Sequence, residues 1–380
     1  MRPEDAPKPT ALAALDASRP LWGGGGAEGT LNAAVAEIER FGVAGASGGA
    51  AARPLAHAVA EAVSSSLIEG VRSSRGAVLA RLATGGQGGG DDDDYAANNA
   101  RALLAMLEAA DPASEIGLDS LSRAHELLYD GVAYGPGERT GHAPGEWRRT
   151  QNWIVGGPDR AVIYTPPRPP DVVPLLENLV DYVNADGAAD HALVRCAVAH
   201  AQFEAIHPFP DGNGRVGRML ISMMMRKYGL LSSQPLALSS SIYMRRAQYY
   251  ALLRGVTAAG AWAQWVDYFV DVCAEAAEDG SGSVRELVGL RKSYLERLGD
   301  RAGGTMVQVL DSLFENPYIT VPMTKRITGM GNRAASMVIE DAIEAGILER
   351  LPGRAKTILY VSRGILAAMG ERGAPDQGAG

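Results

Sequence analysis

Between His207 and Arg218 the chain reads HPFPDGNGRVGR. An imidazole, a carboxylate, three glycines and two guanidinium groups fall within these twelve residues. Gly212 and Gly214 flank Asn213 immediately before a helix-periodic run. Glycines there allow positive φ and leave backbone N–H groups uncovered. At a helix N-terminus such a turn makes a concavity for anions, reinforced by the helix dipole. Arg215 and Arg218, three residues apart, share one face of the first turn, where guanidinium groups grip phosphate oxygens bidentately. Asp211 offers a hard oxygen beside the turn, as Mg²⁺ on a phosphate chain requires. His207 stands four residues earlier, where a neutral imidazole can accept a proton from a hydroxyl. Base, metal ligand, phosphate cradle and charge clamp together describe phosphoryl or nucleotidyl transfer. Taken singly, each group is more often a helix cap, a surface ion pair or a core histidine. Seven of them in twelve residues argue against that plain reading.

Such groups need a rigid frame, and the flanking sequence supplies helices. DVVPLLENLVDYVNA (171–185), DHALVRCAVAHAQFEAI (190–206) and GRVGRMLISMMMRKYG (214–229) carry the 3.6-residue period. So do LDSLSRAHELLYD (118–130), AQYYALLRGVTAAG (247–260) and AWAQWVDYFVDVCAEAAED (261–279). Upstream, residues 30–41, 55–71 and 98–111 read as helices between loops at 21–29, 42–50 and 83–94. The DDDD run at 91–94 reads as a solvated loop or a charge cluster at a helix N-terminus rather than a metal site. NWIVGGPDRAVIYTPP (152–167) breaks the pattern with two short β-prone runs around GGPDR, a hairpin ended by Pro166-Pro167. A GSGS spacer (280–283) and a helix over 284–300 lead to a tail of three helices and a strand, Pro-Gly turn and strand (347–362), which suggests a winged helix. The expected fold is mainly α, in five parts. An N-terminal helical region (1–111) precedes a helical core with a hairpin flap (112–279), and a linker helix (280–303), a winged-helix domain (304–372) and a flexible tail (373–380) follow.

The 380 residues leave room for two or three domains, each with its own core. A net charge of -8 argues against a general nucleic-acid coat. Two cysteines, Cys196 and Cys273, without a CxxC pair suit a reducing compartment. No apolar stretch reaches the about 18 residues of a membrane span, and the first residues lack the apolar core of a signal peptide. A soluble, cytoplasmic protein without membrane contact is the expectation.

The stretch 207–218 resembles the signature of the Fic family, His-x-Phe-x-Asp/Glu-Gly-Asn-Gly-Arg-x-x-Arg, at every defined position. Similarity extends to PGEWRRTQNWIVGG (144–157), the YTPP end of the hairpin, YYALL (249–253), SSLIEG (65–70) and the winged-helix tail. The resemblance implies a helical core with a hairpin flap, and transfer of AMP from ATP, with Mg²⁺, to a Ser, Thr or Tyr hydroxyl of a target protein. Pyrophosphate leaves. It makes His207 the general base and Asp211 the Mg²⁺ ligand. Gly212, Asn213 and Gly214 would cradle the phosphates, Arg215 and Arg218 hold the β- and γ-phosphates, and Phe209 anchor the loop. Ile163, Tyr164 and Thr165 would lie over the nucleotide, with Tyr249 lining the adenine pocket. Ser65 and Glu69 fit the family's inhibitory pattern, Ser/Thr-x-x-x-Glu-Gly/Asn, so Glu69 would pair with Arg218 and misalign ATP. An unknown target would dock along hairpin 152–165 by strand pairing. Self-modification and a homodimer are further implications.

Three alternatives stand beside this one. The same family fold can remove AMP, or move another nucleotide or phosphate group. His200, Glu204 and His207 recur at i, i+4 and i+7 and could hold a transition metal, although Pro208 and the glycine turn favour His207 as a base. Outside enzymology, GNRAASMVIEDAIEAG (331–346) could be a DNA-recognition helix. It offers Arg333 against Glu340, Asp341 and Glu344, an acidic face that suits protein docking or packing better than a major groove.

Overall fold

The computed structural model describes residues 8–23, 28–85, 91–156, 161–232, 234–352 and 358–370. The expected tail at 373–380 and the turn at 157–160 lie outside them. Helix α1 (Glu28–Ser47) takes in much of the glycine-rich run 42–50 that reads as a loop. Two of the glycines there, Gly45 and Gly48, serve close packing: a Cβ on Gly45 would collide with the Gln234 side chain, and one on Gly48 would lie 2.5 Å from Ala52 Cβ and 3.2 Å from Val284 Cγ1. Helix α2 (Pro54–Ile68) has Pro at its start, where a missing N–H costs nothing. Its sides belong to different cores. Ala58 and Ile68 join the larger one, while Val59, Ala62 and Val63 join the smaller. Helix α3 (Arg75–Thr84) carries no strong sequence signal and is capped by Ser74, whose side chain accepts from Ala77 N. Helix α4 (Asp92–Ala109) begins in the DDDD run, which is a charge cluster at a helix N-terminus. Asp91 caps it by accepting from Asp94 N, and the dipole favours the acids that follow.

Helices α5 (Leu118–Leu128) and α6 (Gly135–Arg139) lead into an antiparallel pair, β1 (Ile154–Gly156) and β2 (Ala161–Tyr164), with Val155 opposite Val162. Helices α7 (Pro169–Asn184), α8 (Ala192–Ile206) and α9 (Asn213–Lys227) follow. In α8 and in α9, 13 of 15 residues are buried, so these two helices form the centre of the larger core. Arg195 survives inside it because its Nη2 donates to the carbonyls of Tyr182, Val183 and Ala185, closing the end of α7. Helices α10 (Leu238–Met244) and α11 (Arg246–Ala259) precede α12 (Trp262–Leu298), which runs for 37 residues. The GSGS run is therefore no spacer and no linker helix begins after it. A Cβ on Gly280 would lie 2.7 Å from Phe41 Cε2, so this glycine admits an α1 aromatic ring against an unbroken helix.

The remaining elements are α13 (Gly304–Glu315), β3 (Tyr318–Ile319), α14 (Val321–Thr328), α15 (Asn332–Glu344), β4 (Glu349–Arg350), β5 (Tyr360–Val361) and α16 (Arg363–Ala368). The strands form one antiparallel sheet in the order β3–β5–β4, so the two strands foreseen at 347–362 gain a third. Leu313, Phe314 and Ile339 of this tail share the smaller core with Val59, Leu79 and Ala97 from α2, α3 and α4. Among the described residues no helix is long and apolar enough to cross a membrane. Cys196 and Cys273 are buried and free.

Candidate active site

Helix α8 stops at His207, whose φ of 50° and ψ of 61° place it in the left-handed region. It is the one non-glycine residue with positive φ among those described. Pro208 disfavours the helical conformation for the residue before it, and histidine tolerates the left-handed one better than most. The strain is held from behind by Arg148, 2% exposed. Its Nε donates to His207 O at 2.9 Å, and its Nη2 to Pro167 O at 2.5 Å and Ile206 O at 3.3 Å. Phe209, fully buried, stacks on His125 with centroids 3.9 Å apart and packs against Trp147. Asn213 closes the loop: its Oδ1 accepts from Phe209 N and its Nδ2 donates to Phe209 O. The side chain of Asn213 is thus committed to the loop, and only its backbone faces outward chemistry.

Gly212, with φ of 81°, opens α9. A Cβ there would lie 3.0 Å from the Tyr129 hydroxyl, so a bare residue is required on steric grounds as well. That hydroxyl donates to Asp211 Oδ2 at 2.8 Å and accepts from Arg215 Nη2 at 2.7 Å, joining the carboxylate and the first guanidinium through one phenol. His125 accepts from Gly145 N at its Nδ1 and donates from Nε2 to Asp211 O, which fixes its tautomer. Arg215 is 3% exposed, and its Nε and Nη1 have no hydrogen-bond partner. Buried guanidinium donors left over in this way suit an anion.

Arg218 lies one turn further, 2% exposed. Its Nε donates to Ser65 Oγ at 2.8 Å, and its Nη2 to Ser65 O at 2.9 Å and Glu69 Oε1 at 2.7 Å. Glu69 is the residue that ends α2. A Cβ on Gly214 would collide with Glu69 Oε1, so the carboxylate rests directly on the uncovered first turn of α9. Burial works against the charge of Arg218, but Glu69, Tyr249 and Glu204 together outweigh it and push its pKa up.

A cavity of about 810 Å³ opens over these groups. His207, Gly214, Arg218 and Glu69 line one end, with Ile163, Tyr164 and Tyr249 along the sides. Asp211, Gly212, Asn213 and Arg215 are not among its lining residues; Asp211 and Arg215 meet instead at the Tyr129 hydroxyl. Thr165 does not reach the lining: β2 ends at Tyr164, and Thr165 is buried with its carbonyl accepting from Thr10 N. Burial, with the nearby charge of Arg148, lowers the His207 pKa to about 4, so its imidazole is neutral at pH 7. His200 is no metal ligand partner for it. His200 Nε2 pairs with Tyr249 OH at 2.9 Å, and no group of three or more His, Cys, Asp or Glu that could hold a metal exists among the described residues.

Several residues at the site carried no assignable role in the sequence. Arg148, His125 and Tyr129 act from outside the motif, and nothing in their local spacing betrays it. Tyr250, 38% exposed, lines the cavity together with the buried Tyr249. Glu204, one turn before His207, lines the cavity, and burial pushes its pKa up to about 8 against the opposing charge of Arg218.

Residues 116–225 match the model of the Fic/DOC family. A "probable protein adenylyltransferase" of Aquifex aeolicus is 37% identical over 92 residues, 24% of this chain and 27% of that relative. The protein adenylyltransferase of Caenorhabditis elegans is 30% identical over 136 residues, 36% of this chain and 24% of the relative. The chain thus spans about a quarter of the length of these curated relatives. A Fic family protein of Desulfovibrio desulfuricans has a similar fold, with a TM-score of 0.58 at 22% identity, covering 90% of this chain and 98% of the other. A Fic-domain signalling protein of Bacteroides thetaiotaomicron gives 0.51 at 17% identity, covering 66% and 97%.

Proposed function

We propose, for a chain that carries a Fic/DOC-family domain over residues 116–225, that it transfers AMP from ATP to a hydroxyl of a protein, itself included. The carrying observation is the carboxylate of Glu69 lodged on the first turn of α9 and on Arg218, in one cavity with a neutral His207. A carboxylate there occupies an anion site that a phosphate fits better. With Glu69 withdrawn, the N–H groups around Gly214 and the guanidinium groups of Arg215 and Arg218 are arranged for a triphosphate. His207 takes the proton of the incoming hydroxyl, whose oxygen bonds the α-phosphorus. The bond from that phosphorus to the bridging oxygen breaks, and pyrophosphate departs. Alignment and charge neutralisation are what such a displacement needs from the protein.

The residues present fit a magnesium ion carried in by the nucleotide. Asp211, held by Tyr129 through Oδ2 and 46% exposed at its side chain, keeps an outward oxygen beside the turn. Mg²⁺ characteristically takes one or two carboxylates plus phosphate oxygens and water. When bound it neutralises charge on the phosphates.

Glu69 acts as an internal brake in this reading, since Arg218 cannot serve both it and a γ-phosphate. The flap supports protein targets. Trp153, Val155 and Ile163 are each more than 40% exposed on or beside β1 and β2, an apolar rail on which an extended segment can pair. The test is intact-mass measurement of Glu69→Gly protein after incubation with ATP and Mg²⁺. Mass added in units of AMP, with pyrophosphate in the medium and no change for the same protein carrying His207→Ala, is expected. Release of ADP in place of pyrophosphate would overturn it.

A further inference from the structure

Glu204 lines the active-site cavity, yet the transfer step makes no use of it. Two helices build the wall around it. From α8 come Ala201, Glu204 and, where the helix stops, His207; from α11 come Tyr249, Leu253 and Thr257. Ala201, Glu204 and His207 are three residues apart, so they follow one face of α8 in steps of about 4.5 Å. Of the residues of α8, only Ala192 at its start and Glu204 are not buried. The accessible part of Glu204 is therefore the part that faces the cavity.

Gly217 of α9 is what admits this carboxyl. A Cβ there would lie 2.5 Å from Glu204 Oε1 and 3.2 Å from His200 Nδ1, so both side chains press on the bare residue. Oε1 is sealed against it without a hydrogen-bond partner, which leaves Oε2 as the oxygen on the cavity side. Glu69 and Glu204 are the two acids in the described lining, and Glu69 already rests on Arg218. Glu204 is thus a polar group placed in the wall with nothing on the protein to satisfy it.

We propose that Glu204 recognises the sugar of the nucleotide, bonding the vicinal hydroxyls of ribose and so selecting ribonucleotides over deoxyribonucleotides. This rests on the reading of the site as one for nucleotidyl transfer. In a nucleotide the sugar follows the α-phosphate directly. His207 marks the α-phosphorus, and the next step along the α8 wall is Glu204; the base then extends past Ala201 toward Leu253 and Thr257. Carboxyl oxygens accept from sugar hydroxyls in either protonation state. Burial, opposed by the charge of Arg218, raises the pKa of Glu204 to about 8, so at pH 7 the acid form also donates, as a hydroxyl partner can use. A site built to bond a hydroxyl rejects the analogue that lacks it, because the buried polar group is then left unpaired.

The test compares ATP, 2′-deoxy-ATP and 3′-deoxy-ATP on Glu69→Gly protein, by kcat/KM for incorporation of the α-labelled nucleotide and by calorimetric affinity. At least one deoxy analogue falls below ATP by about tenfold to a hundredfold in both readouts. Adding Glu204→Ala brings the ratio to about one, with ATP lowered to the level of the analogue. Glu204→Leu, closer in volume, does the same where alanine lowers the melting temperature. Glu204→Gln keeps a donor and an acceptor and retains most of the preference. A merely structural role would weaken all three nucleotides alike, and an unchanged ratio in the Ala and Leu variants overturns the assignment. Equal use of the three nucleotides by Glu69→Gly protein also overturns it. So does loss of discrimination between ATP and GTP in place of sugar discrimination, which would assign Glu204 to the base. The calorimetric ratio needs no transfer, so it decides the sugar assignment even where label from the γ-position refutes nucleotidyl transfer.

Discussion

Replacing Glu69 by glycine removes one partner of the contact on which the inhibited state depends. Arg218 Nη2 lies 2.7 Å from Glu69 Oε1, with side-chain exposures of 2% and 33%. Opposite charges about 4 Å apart at an effective dielectric of about 20 attract by about 4 kcal/mol. Water at the exposed part of Glu69, and the two bonds that Arg218 keeps with Ser65, reduce the net difference to about 2–3 kcal/mol. That corresponds to roughly 30- to 160-fold in the population able to align a triphosphate. Glycine suits the position, because Glu69 ends α2 with φ of -87° and its side chain packs into neither core. The assay is the initial rate of AMP incorporation from α-labelled ATP, with saturating Mg²⁺, for wild type and Glu69→Gly side by side. Glu69→Gln, which keeps a neutral hydrogen bond, falls between them. Equal rates for wild type and Glu69→Gly, at equal ATP occupancy, would refute the brake.

His207→Ala in the Glu69→Gly background lowers transfer by about 10²–10⁴ while leaving ATP affinity, measured by calorimetry, unchanged. Gly214→Ala, unlike Glu69→Gly, leaves the enzyme inactive even with Glu69 removed. Its Cβ would lie 2.9 Å from Arg218 Nη1 and cover the anion site, so ATP affinity falls with activity. Transfer by Glu69→Gly protein stays flat from about pH 5 to about pH 7 as far as the base is concerned, because the pKa of His207 is lowered to about 4; an acid limb centred near the ordinary histidine value contradicts this. Stability has its own pH dependence. Burial lowers His57, His125 and His207 to about 4 and His200 to about 3, all from 6.5. As pH falls below 6.5 the unfolded chain therefore takes up protons that the folded one refuses, and stability drops toward pH 4. Buried Glu204 and Glu61, both raised, act in the opposite sense as pH rises above the ordinary carboxylate range, but four groups outnumber two. Thermal unfolding midpoints fall between about pH 6.5 and about pH 4.5, and a flat profile would contradict the burial of these imidazoles.

The sequence disclosed most where chemistry and backbone geometry share a short stretch. His207, the glycine turn and both arginines lie within twelve residues, and Pro208 marks where α8 stops, at His207. Long runs rich in apolar residues, without glycine or proline breaks inside 192–206, located α8, and the run after the glycine turn located α9. The same reading failed at Gly45–Gly48 and at Gly280–Ser283, where small residues look like loops but permit α1 and α12 to approach closely. The composition of those runs does not distinguish flexibility from tight packing. Tyr129 and Arg148 escaped for another reason. Each reaches the site from 59 to 86 residues away, through hydrogen bonds that no local spacing encodes. The resemblance places Thr165 over the nucleotide, yet β2 ends one residue earlier and Thr165 is buried.

The central claim is that the turn at the head of α9 holds a nucleotide so that a hydroxyl, relieved of its proton by His207, displaces pyrophosphate from the α-phosphorus. Glu69→Gly protein incubated with ATP labelled at the α-phosphate, and in parallel at the γ-phosphate, tests it most directly. Label retained on protein from the α-position alone, and lost with His207→Ala, is the predicted result. Label retained from the γ-position would show phosphate transfer instead and contradict the account.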